Sequence, residues 1–346
     1  MELPPLFGKT QDELRELAET WNLRPFVGNQ IAQNLYRRRV SSWDEMTDVP
    51  KAVRERLGAE FRLGLAEHTK VDASIDGTRK YLFPAAGRFV EAAYIPDDYR
   101  KTLCLSTQVG CKMGCLFCMT GKQGFQAQLT PGEILNQIRS LPEGPELTNI
   151  VYMGMGEPLD NLENTLKSLD ILTADWGFGF GTQKVTVSSV GLLPALETFF
   201  TRSKVRFALS MHNPFEDERR RILPVQNVHA LSDVLAFLKA AQKTDARRLS
   251  IEYIAFDGVN DTPRHVKELV RVLHGLKIRV NLIRFHPIPG TPLLGSTEQT
   301  LERMRDALSE RGIPATIRRS RGQDIYAACG LLSTKALLRP APVEDF

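Results

Sequence analysis

Two hydrophobic periodicities divide this chain. In residues 1–66 the apolar positions recur at helical spacing. Thr10-Gln11-Asp12-Glu13 has the form of a capping sequence, and Leu14, Leu17 and Ala18 follow on one face. A second helical stretch is expected from about Gly28 to Arg38, and a third after Val49-Pro50. Residues 69–96 change to short β-prone runs. Asp76-Gly77 predicts a hairpin turn, and Gly87-Arg88 marks the entry to a strand over Phe89–Ile95. In that strand Glu91 shares its face with Phe89, Ala93 and Ile95.

From residue 100 a βα rhythm sets in. Strands are expected at 102–106, 149–153, 184–188, 205–210, 249–255 and 278–285. Helices are expected near 131–140, 162–173, 192–201, 230–242, 263–275 and 298–310. Repeated βα units predict a parallel sheet with helices outside it, spaced as a barrel or partial barrel. Such a sheet carries its chemistry at the carboxyl ends of the strands. A doubly wound open sheet is the alternative. The expected class is thus α/β, with a helical accessory unit at 1–66, a β-hairpin extension at 67–99 and the partial barrel at 100–346.

Composition narrows the class further. Of 346 residues, 42% are hydrophobic and 25% charged, which excludes wholesale disorder and a fibrous fold. No apolar run approaches the length of a membrane-spanning helix, and Met1–Pro5 lacks the basic and apolar regions of a secretory signal. A cytoplasmic protein without membrane contact is expected, and no motif suggests an obligate oligomer. The net charge of +4 permits a nucleic-acid partner without arguing for one. Three arginine groups give that partner a place: Arg37-Arg38-Arg39, Arg219-Arg220-Arg221, and Arg311, Arg318, Arg319 and Arg321. The last group has no acidic residue between 311 and 323. Runs of this kind neutralise phosphates, although a lone run is usually a solvated face.

The five cysteines are Cys104, Cys111, Cys115, Cys118 and Cys329. An odd number, with three packed into one short stretch, is metal or thiol chemistry rather than a disulfide framework. Cys111-Lys112-Met113-Gly114-Cys115-Leu116-Phe117-Cys118 follows the first barrel strand and supplies three thiolates with no fourth nearby. Structural zinc needs four closed ligands. A four-iron cluster on three cysteines keeps one iron open for a substrate's amine and carboxylate. Three buried small hydrophobes, or a zinc site borrowing a distant histidine, are the alternatives. One strand on, Gly154-Met155-Gly156-Glu157-Pro158-Leu159 joins glycines that let a ligand approach the backbone to a carboxylate that accepts from an ammonium group.

The cysteine spacing at the first strand of a βα barrel, followed by the glycine–glutamate loop, resembles the radical S-adenosylmethionine (SAM) superfamily. The order of Glu91, Cys104, the cysteine triplet, Gly-Met-Gly-Glu-Pro-Leu and Asp324-Ile325-Tyr326-Ala327-Ala328-Cys329-Gly330 narrows this to a resemblance to the RlmN/Cfr family of RNA adenosine methyltransferases. It covers about residues 28–333, including Trp43-Asp44-Glu45-Met46-Thr47.

The resemblance implies that Cys111, Cys115 and Cys118 hold a [4Fe-4S] cluster, and that two SAM molecules are used per turnover. One SAM methylates Cys329. The other is cleaved to a 5′-deoxyadenosyl radical, which takes hydrogen from that methyl group. The methylene radical adds to an adenine ring carbon. Cys104 then resolves the protein–RNA crosslink through a transient disulfide with Cys329, and Glu91 is the proton acceptor. A thiol that attacks must be a thiolate, so Cys104 or Cys329 is expected to have a depressed pKa or a nearby base.

Gly156, Glu157, Ser188, Ser210, Met211, His212 and His286 are the implied SAM contacts. His286 stands where the family usually carries Asn, and an imidazole cannot offer an amide's paired donor and acceptor. Without the family, Cys104 and Cys329 read as small core residues, Glu91 as a solvated strand carboxylate, and Ser188 and Ser210 as turn or cap residues. The implied partners are 23S rRNA at the peptidyl transferase centre, tRNA at the adenosine 3′ of the anticodon, and an electron donor such as flavodoxin or ferredoxin. Methylation at C2 of adenosine is the expected activity. Cfr-like C8 methylation, a radical SAM enzyme on a non-RNA substrate, and a zinc-binding RNA protein are the alternatives.

Overall fold

A computed structural model describes residues 3–334, so the last residues of the expected barrel unit, 335–346, lie outside the described residues. Twelve strands are formed. They are β1 (Lys70–Ala73), β2 (Arg79–Ala85), β3 (Arg88–Asp97), β4 (Arg100–Leu105), β5 (Gln108–Val109), β6 (Ala127–Gln128), β7 (Asn149–Tyr152), β8 (Val185–Ser189), β9 (Arg206–Ser210), β10 (Leu249–Ala255), β11 (Ile278–Arg284) and β12 (Ala315–Ile317). Ten of them make one sheet in the order β1-β2-β3-β4-β7-β8-β9-β10-β11-β12, and β5 pairs with β6 separately. β1 to β4 are antiparallel, while β4 to β12 run parallel along the sheet. The hairpin extension is therefore continuous with the barrel sheet.

Helices follow the parallel strands at Pro131–Arg139, Leu162–Thr173, Leu193–Arg202, Leu231–Ala241, Pro263–Leu273 and Glu298–Glu310. Each agrees with its expected span to within a residue or two. The sheet alternation explains the layering. Leu103, Leu105, Ile150, Tyr152, Val187, Phe207, Ile251, Val280 and Leu282 point outward and bury themselves against Ile134, Leu169, Phe199, Leu238, Leu269 and Leu308 of these helices. The opposite parity carries Cys104, Thr186, Ser188, Ser210, Glu252 and Asn281, which face the hollow of the sheet. A seventh parallel strand, β12, and a helix at Glu216–Ile222 add to the six expected units.

The ends of the sheet meet without pairing as strands. Asp76 in the β1–β2 turn accepts from the Gly322 N–H at 2.9 Å. Asp324 accepts from Ser74 Oγ at 2.6 Å and from the Ile75 N–H at 3.2 Å. Arg321 reaches Asp97 of β3 at 3.7 Å. This clasp curls the sheet into a partial barrel.

The N-terminal helices form as expected. Thr10 and Glu13 make a reciprocal capping box at the start of Gln11–Thr20. Phe26–Gln33 runs into a wider turn, Asn34–Arg38, that stops at Arg39 with φ +56°. The Arg37–Arg39 run lies at the surface, Arg37 and Arg38 exposed and Arg39 half-buried, but its side chains are engaged by the protein. Arg37 donates to the Asp175 carbonyl at 2.7 Å, Arg38 pairs with Asp48 at 2.8 Å, and Arg39 lies over the Phe178 ring at 5.5 Å. The run thus keeps the exposed placement of a solvated helix end, with part of its charge engaged by Asp48 and the Asp175 carbonyl.

Candidate active site

β5 and β6 close the base of a loop that carries Cys111, Cys115 and Cys118. Gly110 begins it at φ +71°, where a Cβ would lie 1.7 Å from the Gly124 carbonyl oxygen, so only glycine closes the loop. Cys111 and Cys115 are buried, and Cys118 precedes the short helix Met119–Gln123. Around them lies an apolar collar at the strand ends, including Phe117, Ile222, Phe256, Phe285 and Leu331.

Burial pushes the Cys111 thiol up to about 12 and the Cys115 thiol well above its ordinary range. Neighbouring thiols and Glu157 push in the same direction. Arg219 opposes the shift at Cys115. Among the described residues no three Cys, His, Asp or Glu side chains are gathered closely enough to hold one metal ion. The three thiols are nonetheless near enough for their charges to interact. A soft, three-thiol donor set around an apolar hollow fits an iron–sulfur cluster, which is larger than one ion.

Glu157 sits beside this loop and is 4% exposed. Its oxygens accept from the Leu159 N–H at 3.0 Å and the Val190 N–H at 3.1 Å. Burial nevertheless raises the carboxyl to about 7, against these hydrogen bonds and that of Ser189. A buried carboxylate without a cation is unfavourable, and a ligand ammonium group would supply the missing charge. Gly156, at φ +100°, packs so closely on Gln108 that a Cβ would lie 2.5 Å from its side chain. Ser188 and Ser210 end adjacent strands with their hydroxyls 3.2 Å apart.

The next two residues are held differently. Met211 is fully buried, and its N–H and carbonyl are engaged by Glu252 and Arg219. His212, at φ +56°, accepts the Ile254 N–H at Nδ1, 3.0 Å away, and meets the Phe117 ring edge-on at 4.7 Å. Burial and Arg219 lower its pKa to about 3, so its imidazole is neutral. His286 bonds Ser320 Oγ at 2.9 Å through Nε2 and opens onto a separate outer cavity.

Glu91 lies on β3, on the same face as Cys104 of β4, because Ala93 pairs with Cys104. Its carboxylate accepts from Lys80 Nζ at 3.0 Å and from the Ser333 N–H at 2.9 Å. Burial raises its pKa against the pull of Lys80.

The loop bearing Cys329 is stitched to the short helix after Cys118. The Met119 N–H donates to the Gly330 carbonyl at 2.8 Å, and Thr120 Oγ1 donates to Leu332 at 2.6 Å. Cys329 opens onto the hollow yet is ringed by protein, close enough to Cys104, Cys118 and Arg318 to feel their charges.

Two expectations about these thiols are corrected. No disulfide is present among the described residues, and all five cysteines are free, so a standing disulfide bond is not supported. Neither thiol is depressed. Desolvation pushes Cys104 up to about 12 and raises Cys329, outweighing the attraction of Arg318.

Sequence reasoning missed the pair that dominates this hollow. Glu252, 4% exposed, accepts from Arg318 at 3.0 Å and from Asn281 at 2.7 Å. Register places Ser210, Glu252, Asn281 and Thr316 in one row across the sheet. The available signal was a lone carboxylate amid the apolar residues of strand 249–255. Arg318 is thus corrected from a phosphate contact to an inward-facing cation. Arg219 is corrected likewise: it is 1% exposed and donates to the Met211 and Val190 carbonyls and to Gln226.

This arrangement is that of a radical SAM enzyme, and residues 105–273 match the model of the radical SAM superfamily. Residues 5–63 match the ribosomal RNA large subunit methyltransferase N-terminal domain. A probable dual-specificity RNA methyltransferase RlmN of Bacteroides fragilis is 49% identical over 95% of this chain and 96% of its own. The RlmN of Syntrophus aciditrophicus is 41% identical over 94% of this chain and 95% of its own. The crystal structure of a radical SAM methyltransferase from Sphaerobacter thermophilus, 36% identical, superposes with a TM-score of 0.89 over 95% of this chain and 99% of that one. The chain belongs to the RlmN family of radical SAM RNA methyltransferases.

Proposed function

We propose that this enzyme methylates C2 of adenosine in 23S rRNA, at the peptidyl transferase centre, and in tRNA, 3′ of the anticodon. The observation that carries the reading is the meeting of two free thiols, Cys104 and Cys329, beside the three-cysteine loop inside one hollow. An enzyme using SAM only as a methyl donor to a nucleophile needs neither thiol, and C2 of adenine is not nucleophilic.

In this reading Cys111, Cys115 and Cys118 hold one [4Fe-4S] cluster, and Glu157 receives the ammonium group of SAM. Gly156 lets SAM approach the backbone, while Ser188 and Ser210 meet its ribose and adenine from the strand ends. His212 and Met211 shape that wall, and His286 lies at its outer rim. When bound at these residues, the cluster and SAM would supply a carbon radical able to take a hydrogen atom from the methyl group on Cys329. The remaining work falls to the protein. Cys329 presents the carbon to the base. Glu91 accepts the proton displaced from C2, and the unpaired electron left on the adduct would pass to the one-electron centre that the three cysteines would hold. Cys104, as the thiolate, attacks the Cys329 sulfur; the carbon–sulfur electron pair passes to the departing carbon, which takes a proton to become the C2 methyl group as the disulfide forms, and an external dithiol restores both thiols.

Residues 1–66 form an accessory unit for RNA, residues 67–99 an extension, and the remainder the catalytic barrel. The enzyme works in the cytoplasm as a monomer, with a flavodoxin- or ferredoxin-type protein as electron donor. The test is anaerobic reaction of the reconstituted enzyme with rRNA and tRNA, followed by mass spectrometry of nucleosides. The expected product is 2-methyladenosine in both; 8-methyladenosine alone, or no methylated RNA, overturns the proposal.

A further inference from the structure

A cavity of about 560 Å³ lies outside the thiol chemistry, between the β1–β2 turn and the loop that leads to Cys329. We propose that it is a nucleobase site: it takes the unstacked base next to the target adenosine, stacked on Tyr326 with Ile75 contributing the other apolar wall. This inference rests on the RNA reading above.

Its size falls in the range of about 300–1,000 Å³ typical of small-ligand sites. Ile75 is 99% exposed and Tyr326 68%, and both line this one cavity from the two elements that bound it. A lone exposed apolar side chain needs no explanation, but two facing one hollow form a surface for a flat, partly apolar ligand. Bases displaced from their stack bind aromatic rings in this way.

The wall is pre-organised. Tyr326 holds φ +54°, uncommon for a bulky residue, through its N–H bond to the Gln323 carbonyl at 3.2 Å and the Ala327 bond to Gly322 at 2.8 Å. Asp76 and Asp324 are spent on the clasp, which fixes both walls relative to each other. The exposed Gln323 offers an amide edge that matches the donors and acceptors of a base. Arg319, exposed and without an ion-pair partner among the described residues, stands next to the cavity residue Ser320 for the adjoining phosphate. Tyr326 precedes Cys329 by three residues, a span of at most about 10 Å, so neighbouring nucleotides reach both.

The test uses the full-length reconstituted enzyme and an RNA stem–loop containing the target adenosine, with 2-aminopurine placed on either side of it in turn. Stacking quenches its fluorescence. Wild type is expected to quench the probe at one of the two positions, and Tyr326→Phe to retain the effect. Tyr326→Ala is expected to lose it and to bind RNA about 5- to 100-fold more weakly. With an abasic nucleotide at that position, wild type and Tyr326→Ala should bind alike. Iron content and SAM cleavage without RNA report whether the variant is intact. Quenching at neither position, or an equal loss on intact and abasic RNA, overturns the base site while leaving the RNA reading standing. Failure of wild type to bind any of these RNAs overturns the RNA reading and this inference together.

Discussion

The N–H of Met119 and the carbonyl of Gly330 are joined at 2.8 Å, one residue beyond Cys118 on one side and one beyond Cys329 on the other. Residues 119 and 330 are distant in sequence, yet one hydrogen bond fixes the two loops as neighbours. Gln123 strengthens the joint by accepting from the Thr334 N–H at 2.9 Å and Ser333 Oγ at 3.0 Å. The thiol proposed to carry the methyl group is therefore held by the same element that follows the three-cysteine loop.

Removing either end of the thiol pair should stop the reaction at a different point. Cys329→Ala is expected to abolish RNA methylation while SAM cleavage persists. Cys104→Ala is expected to leave RNA attached to protein, seen as a slow-migrating species on a denaturing gel. Full methylation by the first variant, or normal turnover by the second, contradicts the assigned roles.

Arg318 should set the pH dependence of resolution. It is the cation that lowers the proton affinity of Cys104 and Cys329 against their burial. Arg318→Met should raise both thiols further and move the rate of crosslink resolution toward higher pH. Every tenfold gain in a thiol's proton affinity leaves about tenfold less thiolate, and so about a tenfold lower rate, near neutral pH. Losing the partner of the nearly buried Glu252 should also destabilise the fold by about 1–3 kcal/mol, discounted because Arg318 is 37% exposed. An unchanged single-turnover pH profile would exclude this role.

Glu157 should show its environment as pH-dependent stability. Its carboxyl rises from the ordinary 4.5 to about 7 in the fold, so the folded state binds the proton more tightly. The associated stability is full below about pH 4.5 and is lost as pH rises through about 7, a total of roughly 3 kcal/mol. Glu157→Gln should flatten this part of the thermal-unfolding curve and, by removing the negative charge that pairs an ammonium group while keeping an acceptor oxygen, weaken SAM binding. A variant whose unfolding follows the wild-type pH curve would show that the carboxyl is not the cause.

How far these relationships were legible depended on their range. Helix and strand spans followed from alternation: the outward positions of 249–255, Leu249, Ile251 and Tyr253, announce a buried face without reference to the rest of the chain. β12 escaped because Ala315–Ile317 is too short to show a period. Glu252 and Arg318 escaped for a different reason. Their meeting is set by register across β9 to β12, and no local spacing records which residues become neighbours when a sheet curls. Arg219 misled because a run of arginines looks the same whether it faces water or caps carbonyls; only burial distinguishes the two. Cys111, Cys115, Cys118, Gly156 and Glu157 stood out by residue type and spacing, whereas Cys104, Cys329, Glu91 and the remaining SAM contacts were named from family resemblance. The geometry adds the clasp and the interior ion pair that the motif order did not contain.

The loop bearing the three cysteines depends on a single close approach, which gives the most direct structural test. Gly110 holds φ +71°, and a Cβ there would lie 1.7 Å from the Gly124 carbonyl oxygen, a backbone atom that cannot rotate away. Gly110→Ala must therefore open the base of the loop, where the Gln126 N–H donates to Val109 at 2.9 Å. The cost of a strained left-handed alanine plus the displaced backbone is about 2–5 kcal/mol. The loss should concentrate on the loop, because the apolar face of the main sheet packs elsewhere. Gly258→Ala provides the control: it too has positive φ, +67°, but its Cβ would meet nothing within 4 Å and it lies outside the cysteine loop. The first variant should lose bound iron and the visible absorbance of the cluster after anaerobic reconstitution, whereas the second should keep most of both. Equal iron content in the two would show that loop closure does not govern how the thiols are presented.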